Sequence, residues 1–97
     1  MKPILATTLR NQFKKVGEYE YYLKNIVING VKKGCSGFIK NPTNHKIIYL
    51  TTEAVCYEPL KDKVMFRTAK HLKDYTGGIN QWCKREELVE KVAEALK

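Results

Sequence analysis

The chain has 97 residues, 43% of them hydrophobic and 29% charged, which suits one compact domain, residues 1–97, and leaves no room for a second. Lys and Arg number 18 against 10 Asp and Glu, a net charge of +8. That balance points to a polyanionic partner or an acidic protein surface and argues against an acidic mimic of nucleic acid. No run approaches the ~20 apolar residues of a membrane span, and the stretch from Ile4 to Ala6 is far short of the roughly 7–15 residues of a secretory core. Cys35, Cys56 and Cys83 are odd in number and widely spaced. They read as reduced thiols of a cytoplasmic protein, since secreted disulfide frameworks are even and dense.

In chain order, Leu5, Leu9, Phe13 and Val16 recur at helical spacing within Pro3–Val16 and predict an amphipathic helix. Thr7 or Thr8 is the expected cap and Gly17 the expected stop. Glu18–Ile28 is rich in aromatic and β-branched residues and reads as a strand. Asn29-Gly30 follows at once, the pair that a type I′ hairpin turn favours because both central residues need positive φ. The return strand is Val31–Lys40, where Gly34 and Gly37 signal a bulge or a close backbone approach. After a turn at Asn41–His45, Lys46–Thr52 reads as a third strand. Its run Ile47-Ile48-Tyr49-Leu50 suggests a central place with both faces covered. Glu53–Leu60 fits strand, turn or helix, and Pro59 stops regular structure there. Lys63–Thr68 alternates, with Val64 and Phe66 expected inward and Lys63, Met65 and Arg67 outward, and is taken as an edge strand. His71–Gln81 is read as a long loop, and Lys84–Leu96 as a second helix with Leu88, Val92 and Leu96 on its apolar stripe and Glu86 and Glu87 in its first turn. The expected fold is therefore α+β: a mainly antiparallel sheet of three to four strands with an N-terminal and a C-terminal helix on one face, in the order α-β-β-β-(β)-α.

The positive charge is unevenly spread. Residues 1–40 hold a net +6, residues 41–75 a net +2 and residues 76–97 none. Arg10, Lys14, Lys15, Lys24, Lys32, Lys33 and Lys40 form the main cluster, with a smaller one at Lys61, Lys63, Arg67, Lys70 and Lys73. Such residues neutralise phosphates without sequence preference. Tyr19, Tyr21 and Tyr22 lie beside them, and an exposed aromatic stacks on an unpaired base; against this, two helices need a sheet face to cover, which places these tyrosines in the core.

Motifs for chemistry are weak. Cys35, His45, Cys56, His71 and Cys83 offer no closely spaced pair for zinc. Cys83 or Cys35 with His71 is a formal nucleophile pair, but small buried thiols are the simpler reading. No Gly-rich phosphate loop has its strand-to-helix context, and no acidic pair stands out for metal-dependent phosphoryl transfer. The expectation is a protein without catalytic residues, metal or cofactor. The connector from Arg67 to Cys83 is chemically richer. It holds Tyr75, Gly77, Gly78, Asn80, Gln81 and Trp82. Tyr and Trp dominate protein interfaces, and paired glycines let a backbone approach a partner; the plainer alternative is a loop pinned by a buried Trp82.

The segment Lys73-Asp-Tyr-Thr-Gly-Gly-Ile-Asn-Gln-Trp82, with the size and the lysine-rich composition, resembles the small accessory proteins encoded beside A-family-type DNA polymerases on staphylococcal cassette chromosomes. The resemblance implies a non-catalytic subunit that binds the polymerase and enables primer synthesis. It carries over no functional residue.

The expected function is thus that of an accessory protein of DNA replication or processing. Arg10, Lys14, Lys15, Lys24, Lys32, Lys33 and Lys40 would contact single-stranded DNA or template–primer, and the Tyr75–Trp82 segment would dock a larger enzyme. The alternative is a protein-only inhibitor or regulator that seizes an acidic host surface.

Overall fold

The computed structural model describes residues 3–53, 63–76 and 78–97. Most of Glu53–Leu60, together with Cys56, Lys61 and Gly77, lies outside the described residues. Among these, two α-helices and five strands follow in the order α1 (Ala6–Lys14), β1 (Glu20–Ile28), β2 (Val31–Lys40), β3 (Ile47–Thr51), β4 (Lys63–Ala69), β5 (Gln81–Lys84) and α2 (Leu88–Ala95). All four strand pairings are antiparallel, and the spatial order is the chain order, β1-β2-β3-β4-β5. The α+β class and the two terminal helices are as the sequence predicts.

Side chains alternate across a strand, and directly paired residues share a face. The registers therefore put Tyr21, Leu23, Cys35, Ile39, Ile48, Leu50, Val64, Phe66 and Cys83 on one face of the sheet. That face and the apolar stripes of the helices (Ala6, Leu9 and Phe13 of α1; Leu88 and Val92 of α2, with Leu96 at its end) form one core. Both helices cover the same side; among the described residues, the opposite face carries β-strand side chains and one loop.

Several local expectations are corrected. Helix α1 begins at Ala6 without a side-chain cap from either threonine. Its first amide donates instead to Asn25 Oδ1 on β1, at 2.8 Å, so the cap comes from nineteen residues away. The helix ends at Lys14 as Val16 and Gly17 donate back to the Phe13 carbonyl, and Val16 turns out to solvent. The expected C-terminal helix starts later: a single 3₁₀ turn, Arg85–Glu87, precedes α2, and the Lys84 amide donates to Glu87 Oε1 across it. Strand β4 is not an edge. The segment Gln81–Lys84, expected to divide between loop and helix, pairs with it as β5, which raises the strand number to five. Met65, expected outward in solvent, is buried on the face away from the helices.

The turn chemistry holds. Asn29 and Gly30 have φ of +53° and +78°, as a type I′ turn demands. The register slips by one between Ile26 and Val27, a bulge whose extra residue is Lys33 opposite them. Gly37 has φ +142°, and a Cβ there would sit 2.0 Å from the Tyr22 carbonyl oxygen; only glycine allows β1 and β2 to close at this point. β3 is central, with Ile47, Ile48 and Leu50 buried.

Candidate nucleic-acid interface

The alternation that builds the core also builds the second face. Tyr22 and Lys24 of β1, Ser36, Phe38 and Lys40 of β2, Tyr49 of β3, Lys63, Met65 and Arg67 of β4, and Trp82 and Lys84 of β5 all point away from the helices. Here three rings meet. Phe38 lies 5.2 Å from Tyr49 and 5.3 Å from Tyr75, and Tyr49 lies 5.7 Å from Tyr75, centroid to centroid. Edge and tilted contacts at these distances are the favoured aromatic arrangements. Phe38 is the covered floor of the cluster, whereas Tyr75 and Tyr22 are 59% and 47% exposed.

Tyr75 reaches the sheet from the β4–β5 loop, and that loop is built. Asp74 is buried and accepts from the Lys70 amide at 2.9 Å and from the Thr76 amide and hydroxyl at 3.2 and 3.4 Å. Arg67 stacks 4.6 Å above the Tyr49 ring and donates to the Tyr75 carbonyl at 2.5 Å and to Asn80 Oδ1 at 3.2 Å. The guanidinium thus ties the loop to the aromatic face. A cleft of about 620 Å³ opens between loop and hairpin, walled by Tyr22, Lys24, Phe38, Tyr49, Lys73 and Tyr75. Its size and its mixture of aromatic walls with a few polar groups suit a small planar ligand.

The structure divides the predicted basic cluster. Lys24 and Lys40 stand on the cleft face. Arg10 and Lys14 belong to α1 and Lys15 follows its end, on the other side of the sheet, where Arg10 lies 5.9 Å over the Tyr21 ring. Lys32 and Lys33 are exposed near the tip of the β1–β2 hairpin. Of the three adjacent tyrosines, Tyr19 and Tyr21 pack against the core, Tyr19 edge-on to Phe13, and burial pushes the Tyr21 phenol up, with the neighbouring Tyr19 adding to the rise and Arg10 opposing it. Tyr22 alone faces the cleft.

The predicted docking segment is also divided. Tyr75 and Asn80 belong to the cleft wall and its latch. Gly78, at φ +79°, brings the loop against β4, where an added Cβ would sit 2.6 Å from the Thr68 carbonyl oxygen; the close approach is to the chain's own strand. Gln81 is an exposed β5 residue, and Trp82 is half-buried opposite Met65. No protein family, curated protein or solved structure matches this chain.

The two described thiols face the core. Cys35 and Cys83 are free and buried. Burial raises both above the ordinary thiol value, opposed at Cys35 by the Thr52 hydroxyl beside it; Glu87 adds to the rise at Cys83, and Lys91 and Lys63 oppose it. A covered, protonated thiol is a poor nucleophile, and His71 is exposed in the loop. Among the described residues, no three His, Cys, Asp or Glu gather closely enough to hold a metal ion, and no helix is long and apolar enough to cross a membrane.

Phe38 and Tyr49 are the site residues that the sequence did not single out; Arg67 and Lys73 were expected only as members of the smaller basic cluster. The available signal was strand parity: once the Asn29-Gly30 turn fixes the hairpin register, Tyr22, Phe38 and, one strand further, Tyr49 must share a face.

Proposed function

We propose that this protein binds single-stranded nucleic acid on the face of its sheet that the helices leave uncovered. The observation that carries the reading is the aromatic cleft with a cationic rim: Tyr22 and Tyr75 present accessible rings over the Phe38–Tyr49 floor, while Lys24 and Lys73 stand at the edge. Stacking suits any base, because every base has a π-face, and lysines on the rim track phosphates. A duplex hides its base faces and cannot use such a cleft. The charge favours the same reading, since the sequence has no Asp or Glu between Tyr21 and Thr52 but five lysines.

In the wider role we infer, the chain is a non-catalytic accessory protein of DNA replication or processing in the reducing cytoplasm. It would hold a single strand for a larger enzyme, in keeping with the resemblance to polymerase-associated proteins of mobile elements. Arg10, Lys14 and Lys15, remote from the cleft, would then add long-range attraction rather than direct contact.

Fluorescence anisotropy with a labelled oligothymidylate across a salt series tests the reading. Binding should weaken with salt, at about 0.7 in the log–log slope per phosphate neutralised. Y22A or Y75A should each weaken binding roughly 5–150-fold with the slope unchanged, since stacking contributes about 1–3 kcal/mol per base and releases no counterion. K24E with K73E should lower the slope. No binding at low salt, or full affinity in Y22A and Y75A, would overturn it.

A further inference from the structure

The β1–β2 hairpin is longer than the sheet it belongs to. β3 pairs with β2 only over Ser36–Lys40, yet β1 and β2 stay paired out to Ile28 and Val31. The residues from Val27 to Lys33 are all exposed, so a two-stranded ribbon stands out from the body. Its tip carries aliphatic side chains in solvent: Ile28 is 44% and Val31 54% exposed. These two are directly paired across the turn and so share a face. Counting by twos from Ile28 through Ile26 and Lys24 to Tyr22, that face is the one with the aromatic cleft. Lys32 and Lys33 flank the tip, and Lys24 stands about 13 Å down the cleft face.

We propose that this ribbon is a wedge for a junction between single-stranded and duplex nucleic acid. Ile28 and Val31 cover the exposed terminal base pair, Lys24, Lys32 and Lys33 hold the flanking phosphates, and the unpaired strand runs down the same face to Tyr22, Phe38 and Tyr49. This deepens the single-strand reading above and rests on it. A terminal base pair is a flat apolar surface rimmed by phosphates, the complement of an aliphatic tip rimmed by lysines. Proteins insert or lay aliphatic side chains against base steps in this way. The spacing fits: six residues from Ile28 to Tyr22 span roughly 20 Å, the length of about six stacked nucleotides. A second copy of the chain is a poor occupant, because each tip would bring its own lysines against the other's.

The test is anisotropy with three labelled DNAs: an oligothymidylate, a blunt duplex, and the duplex carrying the same oligothymidylate as an overhang. The wild type should bind the overhang substrate about tenfold more tightly than the oligothymidylate, the gain from partly burying two aliphatic side chains, and the blunt duplex most weakly. I28S/V31S, with both changes in solvent-exposed positions, should lose the junction preference and keep the affinity for oligothymidylate. Equal binding of overhang and single strand by the wild type, or a preference that survives in I28S/V31S, would overturn the wedge while leaving the cleft reading standing. Loss of oligothymidylate binding by the wild type would instead remove the cleft reading and the wedge with it.

Discussion

Replacing Thr52 by valine should destabilise the fold by about 2–3 kcal/mol although the two side chains have nearly the same shape. Thr52 is buried just past the end of β3, and its hydroxyl links three parts of the chain. It accepts from the Cys35 amide on β2 at 2.9 Å and donates to the Ile4 carbonyl ahead of α1 at 2.8 Å. Valine removes both bonds. The Cys35 amide is then a buried donor with no acceptor, which costs about 1–3 kcal/mol, and the half-buried Ile4 carbonyl loses a bond of about 1 kcal/mol that water replaces in part. For a domain of this length the loss corresponds to a fall in Tm of roughly 10–20 °C. Thermal and urea unfolding followed by circular dichroism measure it, and faster amide exchange at Cys35 should accompany it. Thr52→Ser keeps the hydroxyl and should cost about 1 kcal/mol for the missing methyl. If the valine variant unfolds within about 0.5 kcal/mol of wild type, or no worse than the serine variant, the hydroxyl bridge is not what holds β2, β3 and the N-terminal segment together.

Other outcomes follow from the same geometry. Gly30→Ala should cost about 1 kcal/mol, because nothing lies within 4 Å of the new methyl and only the positive φ is penalised; urea unfolding reads it. Arg67→Met should release the β4–β5 loop from the Tyr49 ring and from Asn80, lowering oligothymidylate affinity severalfold with a change in stability of about 1 kcal/mol or less. Reversing charge at Arg10, Lys14 and Lys15 should reduce affinity at low salt yet converge with wild type as salt rises, whereas reversal at Lys24 and Lys73 should weaken binding throughout. Raised thiol values at Cys35 and Cys83 keep the native thiols protonated after those of the unfolded chain ionise. Their contribution is therefore complete below the ordinary value of 9.0 and is lost as pH rises beyond it. Stability measured from pH 7 to pH 10 should fall, less steeply in Cys35→Ala relative to its own neutral value, and both thiols should react slowly with iodoacetamide at neutral pH.

The parts of this fold that were legible in the sequence are those set by local rules. Leu9 and Phe13 mark the buried stripe of α1 because helical spacing needs no knowledge of the partner. Asn29-Gly30 fixes the first hairpin because two consecutive positive φ values leave few other residues. Val64 and Phe66 face the core by simple alternation. What escaped the sequence depends on contacts far along the chain. β5 has four residues, too few for a pattern, and becomes a strand only because β4 offers an unpaired edge. The α1 cap is Asn25, which no capping motif near Thr7 announces. The cleft likewise collects Tyr22, Phe38, Tyr49 and Tyr75 from three strands and a loop, so its aromatic character is invisible in any short window. The basic residues grouped by sequence do not share one face, because the sheet separates α1 from the side where Lys24 and Lys40 stand.

The neighbour-to-neighbour strand order also bears on how the chain assembles as it is synthesised. Each strand finds its partner in the segment made just before it, so loop closures stay short and the sheet can lengthen one strand at a time. Leu88, Val92 and Leu96, all essentially inaccessible in the finished fold, follow every strand they cover. Until α2 emerges, Ile48, Leu50, Val64 and Phe66 line an uncapped apolar surface. That interval is the chain's period of greatest exposure to aggregation, and a released fragment that ends before Leu88 is the species in which chaperone contact should concentrate.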